Sequence, residues 1–172
     1  MSRTAYTCGS SNSTSIASHI VGKIYENLEE VENSNGEEIP DGLEAVVLKT
    51  LMVHASRHNR EAKSEISDLV KGRVSGRKLK EAVARYLGYG EVDEQRAIRC
   101  TDQRATVIGY DEIGENEEHQ YEFPLPEGLS GNHVWRRMVI TLSWFSPINP
   151  FHRKMREAKL SFAPVQKWGD QP

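Results

Sequence analysis

A wide apolar stripe lying directly behind a cluster of small hydroxyl residues constrains this chain more than any other feature. In the stretch CGSSNSTSIASHIVGKIYENLEE, Cys8 to Glu30, the residues Ile16, Ala17, Ile20, Val21, Ile24, Tyr25 and Leu28 recur at spacings of three and four. That period puts them on one side of a helix, and the width of the stripe predicts a buried helix from Ser13 to about Glu30. Ahead of it, Gly9, Ser10, Ser11, Asn12, Ser13 and Thr14 are all candidate N-caps, because a short side-chain oxygen accepts from the unpaired N–H groups of a first turn. One of these serines then sits where the backbone donors and the positive end of the helix dipole converge. Taken alone, such a cluster is ordinarily a cap or a frayed terminus.

The chain has 172 residues, 37% of them hydrophobic, which suffices for a core and for one domain, or for a domain piece with a small second unit. Lys and Arg total 22 against 25 Asp and Glu, so the net charge of −3 provides no global field for nucleic acid. The first residues, MSRTAYTCGSS, lack the apolar core of a signal peptide, and Lys49 interrupts even VVLKTLMV, so no membrane span is expected. A soluble, cytoplasmic protein is the expectation. Cys8 and Cys100 show no metal-ligand or redox spacing and are expected as free, buried thiols. Cys8 as an alternative nucleophile has no assignable histidine.

Behind the first helix, EEVENSNGEEIPDG is an acidic surface loop with Asn-Gly and Pro-Asp-Gly turn chemistry. From Leu43 to Arg57 a second helix is predicted, with Leu43, Val46, Val47, Leu51 and Met52 buried. His54 and His58 stand four apart at its end, but Ala55 occupies the place of the glutamate in H-E-x-x-H, so no metal site is expected. Between Glu61 and Gly90 the chain turns basic, with Lys71, Arg73, Arg77, Lys78, Lys80 and Arg85 around a helical pattern of Leu79, Val83 and Leu87. A solvated helix face is the reading favoured there, since few aromatics interleave with the charges. Gly88-Tyr89-Gly90 breaks that helix as a C-cap or tight return.

After Cys100 the period becomes two. RATVIGY, HQYEFPLP and RRMVITLSW are rich in β-branched and aromatic residues, with Met138, Ile140, Leu142 and Trp144 alternating against Val139, Thr141 and Ser143. With AKLSFAPV they predict a small antiparallel β-sandwich whose core includes Trp144. Carbohydrate stacking by Trp135 or Trp144 has no support from neighbouring residues.

The segment around Ser11 resembles the nucleophile motif of the subtilisin-like serine peptidases, G-T-S-x-A-x-P at the start of a buried helix. Gly9 matches its glycine, Ser10 its threonine and Ser11 its catalytic serine, while Ser13 and Ser15 replace its alanine and proline. Val46 to Ser56 resembles the family's second C-terminal helix, and Ala84 to Ile98, with GYGEVD, its glycine-rich closing segment. The resemblance runs from about Tyr6 to the end. It implies an α/β subtilisin-like catalytic-domain remnant, mainly helical here, over residues 1–99, followed by a β-sandwich domain over 100–172.

Its chemistry needs a serine, a histidine to take the serine's proton, an acid to orient that histidine, and oxyanion donors. The family's acid, histidine and oxyanion asparagine precede the serine, yet the ten residues before Ser11 include no Asp or His. None of His19, His54, His58, His119, His133 and His152 matches a triad position. Ser11 is thus expected as nucleophile and backbone oxyanion donor of a serine endopeptidase that is inactive alone, without cofactor. A polypeptide is the substrate once an N-terminal portion completes the site. The apolar stripe implies self-association or an N-terminal partner chain. The alternatives are a non-catalytic protein-binding module on the same scaffold and, more weakly, nucleic-acid contact through Lys71 to Arg85.

Overall fold

The computed structural model describes residues 9–31, 38–101, 104–123, 137–153, 155 and 158–163. Helix α1 runs Ser10–Leu28, α2 Glu44–Ala55, α3 Arg60–Val70, α4 Gly76–Leu87 and α5 Glu94–Ile98. Strands β1, Ser56–Arg57, and β2, Glu91–Val92, pair antiparallel, with Ser56 opposite Val92 and Arg57 opposite Glu91. α1 starts three residues earlier than the apolar spacing alone requires. Gly9 is its N-cap, and the hydroxyls of Ser13 and Thr14 bond back to the carbonyls of Gly9 and Ser10. Such bonds accommodate short polar side chains inside a first turn.

The core forms where α1, α2 and α5 meet. Ile20 and Ile24 of α1 are buried with Val47 and Leu51 of α2, and Val92, Ala97 and Ile98 pack against that cluster. Each fully buried aliphatic side chain of this kind contributes about 1.5–3 kcal/mol relative to exposure. α5 is only five residues long and holds its place by other means. Asp93 caps it by accepting from the Gln95 N–H, and Lys23 of α1 pairs with Glu94 at 3.1 Å. Ile108 and Tyr110 add to the rim of the same core. α3 and α4 pack chiefly on each other, and Val83 is their one buried residue.

Two glycines explain how the chain returns from α4 to the core. Gly88, at φ +58°, ends α4, its N–H bonding the Ala84 carbonyl, as the Gly-Tyr-Gly break predicts. Gly90 has a second role. At φ +98° it passes so close to β1 that an added Cβ would lie 2.3 Å from the Arg57 carbonyl carbon and 2.6 Å from the His58 nitrogen.

The β-sandwich predicted after Cys100 is not there. Among the described residues the fold is mostly helical, and the two-residue β1–β2 pair is its only sheet. Residues 105–123 and 137–147 contain no strand. Met138, Ile140, Leu142 and Trp144 are 69%, 43%, 38% and 40% exposed, and Val139 on the opposite side is 38% exposed, so neither face is buried. Period-two alternation encodes a face for burial, but a run becomes a strand only when a neighbour takes its ladder hydrogen bonds and a second layer covers it. No such layer stands against these runs among the described residues. Trp135 and His133 lie outside the described residues, as do all of residues 126–132 and the end of AKLSFAPV.

The correction changes the expectation for Trp144. With 40% of its surface exposed, it is not the sandwich-core residue of the sequence reading. Trp144→Ala is expected to cost about 1 kcal/mol, well short of the 3–5 kcal/mol of a buried aromatic truncation. Urea denaturation of the two proteins measures the difference.

Candidate functional site

Ser11 occupies the second position of α1, exposed, in the first turn. A side chain bonds back to the helix only if a helical carbonyl lies four residues earlier. Ser13, Thr14 and Ser15 have one and use it, at 3.3, 2.8 and 3.1 Å to Gly9, Ser10 and Ser11 respectively. No described carbonyl lies four residues before Ser11, so no such bond is defined for its hydroxyl. Its N–H likewise belongs to the first turn, where the helix supplies no acceptor. Gly9 offers no side-chain cap, and the first turn contains no acidic residue to offset the positive end of the dipole. A hydroxyl and an N–H in the first turn of a helix suit a nucleophile whose own amide stabilises an oxyanion.

The rest of a triad is not assembled around Ser11 by the described imidazoles whose partners are defined. His54 Nδ1 lies 3.1 Å from Thr141 Oγ1, and His58 Nε2 lies 2.9 Å from the Gly88 carbonyl. His119 Nδ1 is 3.2 Å from Asp111 Oδ2, an acid–imidazole pair of the kind a triad uses, but one built in the strandless segment after Cys100. His19 lies two turns along α1, exposed. His54 and His58 do not share a helix face as their spacing suggests, because α2 ends at Ala55 and β1 intervenes. Among the described residues no group of three His, Cys, Asp or Glu side chains could hold a metal ion. No described helix is long and apolar enough to cross a membrane. Cys100 is exposed, not buried, and Cys8 lies outside the described residues.

The half of α1 that carries Ser11 has almost no cover. Residues 9–16 are exposed, Ile16 to 62%, whereas Ile24 farther along the same stripe is 2% exposed. The apolar pattern thus extends beyond the core that uses it. On α3 and α4 the basic residues are solvated, as the sequence reading favours. Arg77 pairs with Glu81 within α4 at 2.9 Å, and Lys71, the C-cap of α3, pairs with Asp68 of that helix at 3.8 Å.

The proton affinity of His54 is displaced. Partial burial lowers its pKa from the ordinary 6.5, and the nearby Arg104 guanidinium lowers it further. The native state therefore keeps His54 neutral at pH values where the unfolded chain protonates it. Its effect on stability is nil above about pH 6.5 and becomes a loss as pH falls below that value towards the lowered native pKa. His54→Asn is expected to flatten this limb in denaturation curves taken at several pH values. Glu94, whose pKa is held below the ordinary 4.5 chiefly by the hydrogen bond from Lys23, contributes a separate loss at more acidic pH.

Comparison of the chain with family models, with curated proteins and with solved structures yields no match.

Proposed function

We propose that this chain carries the nucleophile segment of a subtilisin-like serine endopeptidase, with Ser11 as the attacking residue and its N–H as an oxyanion donor. The acid and the histidine come from a polypeptide portion outside this sequence. One observation supports the reading above the others. The three stretches that resemble the family, around α1, α2 and β2–α5, all contribute to one core, which Ile39, Ile108 and Tyr110 complete. Resemblance scattered over unrelated surfaces would not do this. The exposed N-terminal half of α1 fits the same reading, since it leaves Ser11 and Ile16 open to a further layer.

In the reaction the serine hydroxyl attacks a peptide carbonyl while a histidine takes its proton, and the Ser11 N–H faces the oxyanion. Without a base the hydroxyl stays protonated at neutral pH, so the isolated chain is expected to be inactive. The test is hydrolysis of an unfolded protein substrate by the chain mixed with a portion from the same locus bearing D-[ST]-G and H-G-[TS] motifs. Activity is expected only in the mixture, and Ser11→Ala should lower it by about 10⁶-fold. A mixture whose activity survives Ser11→Ala would rule the assignment out.

A further inference from the structure

One cleft lies away from Ser11 and brings together three distant parts of the chain. Pro40, Gly42 and Leu43 before α2 face Tyr110, Asp111 and Glu112, with Phe145 completing the wall, and the open cleft between them has a volume of about 600 Å³. That is within the size range of small-ligand sites. Its lining combines two aromatic rings with two carboxylates. Asp111 is oriented, its Oδ1 accepting from the Glu112 N–H at 2.8 Å and its Oδ2 facing His119 at 3.2 Å. Tyr110 is fixed by its hydroxyl, which donates to the Glu38 carbonyl at 3.5 Å. Phe145 is largely exposed, a ring with an open face.

The chain beside the cleft is acidic, with Asp41 inside Pro40–Leu43 and Glu38 and Glu44 flanking it. Glu44, then Glu29, raise the pKa of Tyr25, and burial followed by Asp111 raises that of Tyr121. Aromatic faces beside carboxylates, in a negative field, select a cation whose body is flat or apolar and whose charge is delocalised.

We infer that the cleft between Pro40–Leu43, Tyr110–Glu112 and Phe145 binds the guanidinium side chain of an arginine-bearing polypeptide. The guanidinium stacks on Tyr110 or Phe145 and pairs with Asp111 and Glu112, while the arginine stem lies along Pro40 and Leu43. The site is independent of Ser11 and of the peptidase reading.

The experiment titrates the full chain with acetyl-Gly-Arg-Gly-amide and with its citrulline counterpart, which keeps the shape and loses the charge, by calorimetry. Saturable binding of the arginine peptide is expected, at least about tenfold tighter than citrulline and weakened by salt. Glu112→Gln combined with Asp111→Asn should remove about tenfold, and Phe145→Ala a smaller factor, with circular dichroism checking that each variant stays folded. Equal affinity for the two peptides, or no saturation by the arginine peptide up to about 10 mM, overturns the inference. The citrulline comparison needs no variant and stands even if a substitution unfolds the chain.

Discussion

Gly90→Ala is expected to be among the most damaging single substitutions in this chain, costing about 3 kcal/mol or more. Two effects combine at this position. The backbone stands at φ +98°, where any L side chain is strained, and the new methyl would meet the Arg57 carbonyl at 2.3 Å. The obstacle is backbone, not a side-chain end that can rotate away. Relief requires β2 to move off β1, and β2 leads directly into α5 and the Val92, Ala97 and Ile98 side of the core. Gly22→Ala provides the control, since Gly22 lies inside α1 with nothing within 4 Å of an added Cβ. There the helix gains about 0.5–1 kcal/mol. Chemical denaturation of both variants should therefore show shifts of opposite sign.

Ile24→Ala comes second. Ile24 is 2% exposed at the centre of the α1–α2 contact with Ile20, Val47 and Leu51. Truncation there removes transfer energy and leaves a cavity, a loss of about 2–5 kcal/mol. Ile16, two turns earlier on the same stripe, is 62% exposed. Ile16→Ala should change the stability of the isolated chain by no more than about 0.5 kcal/mol. If α1 docks into a larger catalytic domain, the same substitution should weaken that complex. The contrast between the two isoleucines separates the core that exists here from the cover that the proposal requires.

Of the five described helices, α1, α2 and α4 were legible in the sequence because their residues carry their own instructions, whereas α3 and the five-residue α5 were not among the expectations. Ile20 and Ile24 recur at the period that buries a face, and Gly88 after Leu87 marks an end that only glycine takes easily. The β1–β2 pair was not legible. Two residues per strand give no periodicity to detect, and only the reach of Gly90 towards Arg57 reveals the pair. The C-terminal third failed for the opposite reason. Met138, Ile140, Leu142 and Trp144 present a clear alternation, but alternation describes a strand only when neighbours pair with it, and that depends on residues far away in sequence. At the candidate site, the place of Ser11 in the first turn followed from the helix start. The engagement of His54 with Thr141 and of His119 with Asp111 depends on chain returns that no local pattern encodes.

The central claim is that Ser11 is a nucleophile waiting for its base, and covalent labelling tests it most directly. A fluorophosphonate probe is added to the isolated chain, and to the chain mixed with a portion from the same locus that bears the acid and histidine motifs. Mass spectrometry then locates the adduct, and light scattering reports whether a complex has formed. The expected result is no adduct on the isolated chain and an adduct on Ser11 in the mixture. Labelling of Ser11 in the isolated chain, or a mixture in which Ser11 stays unlabelled, contradicts the account.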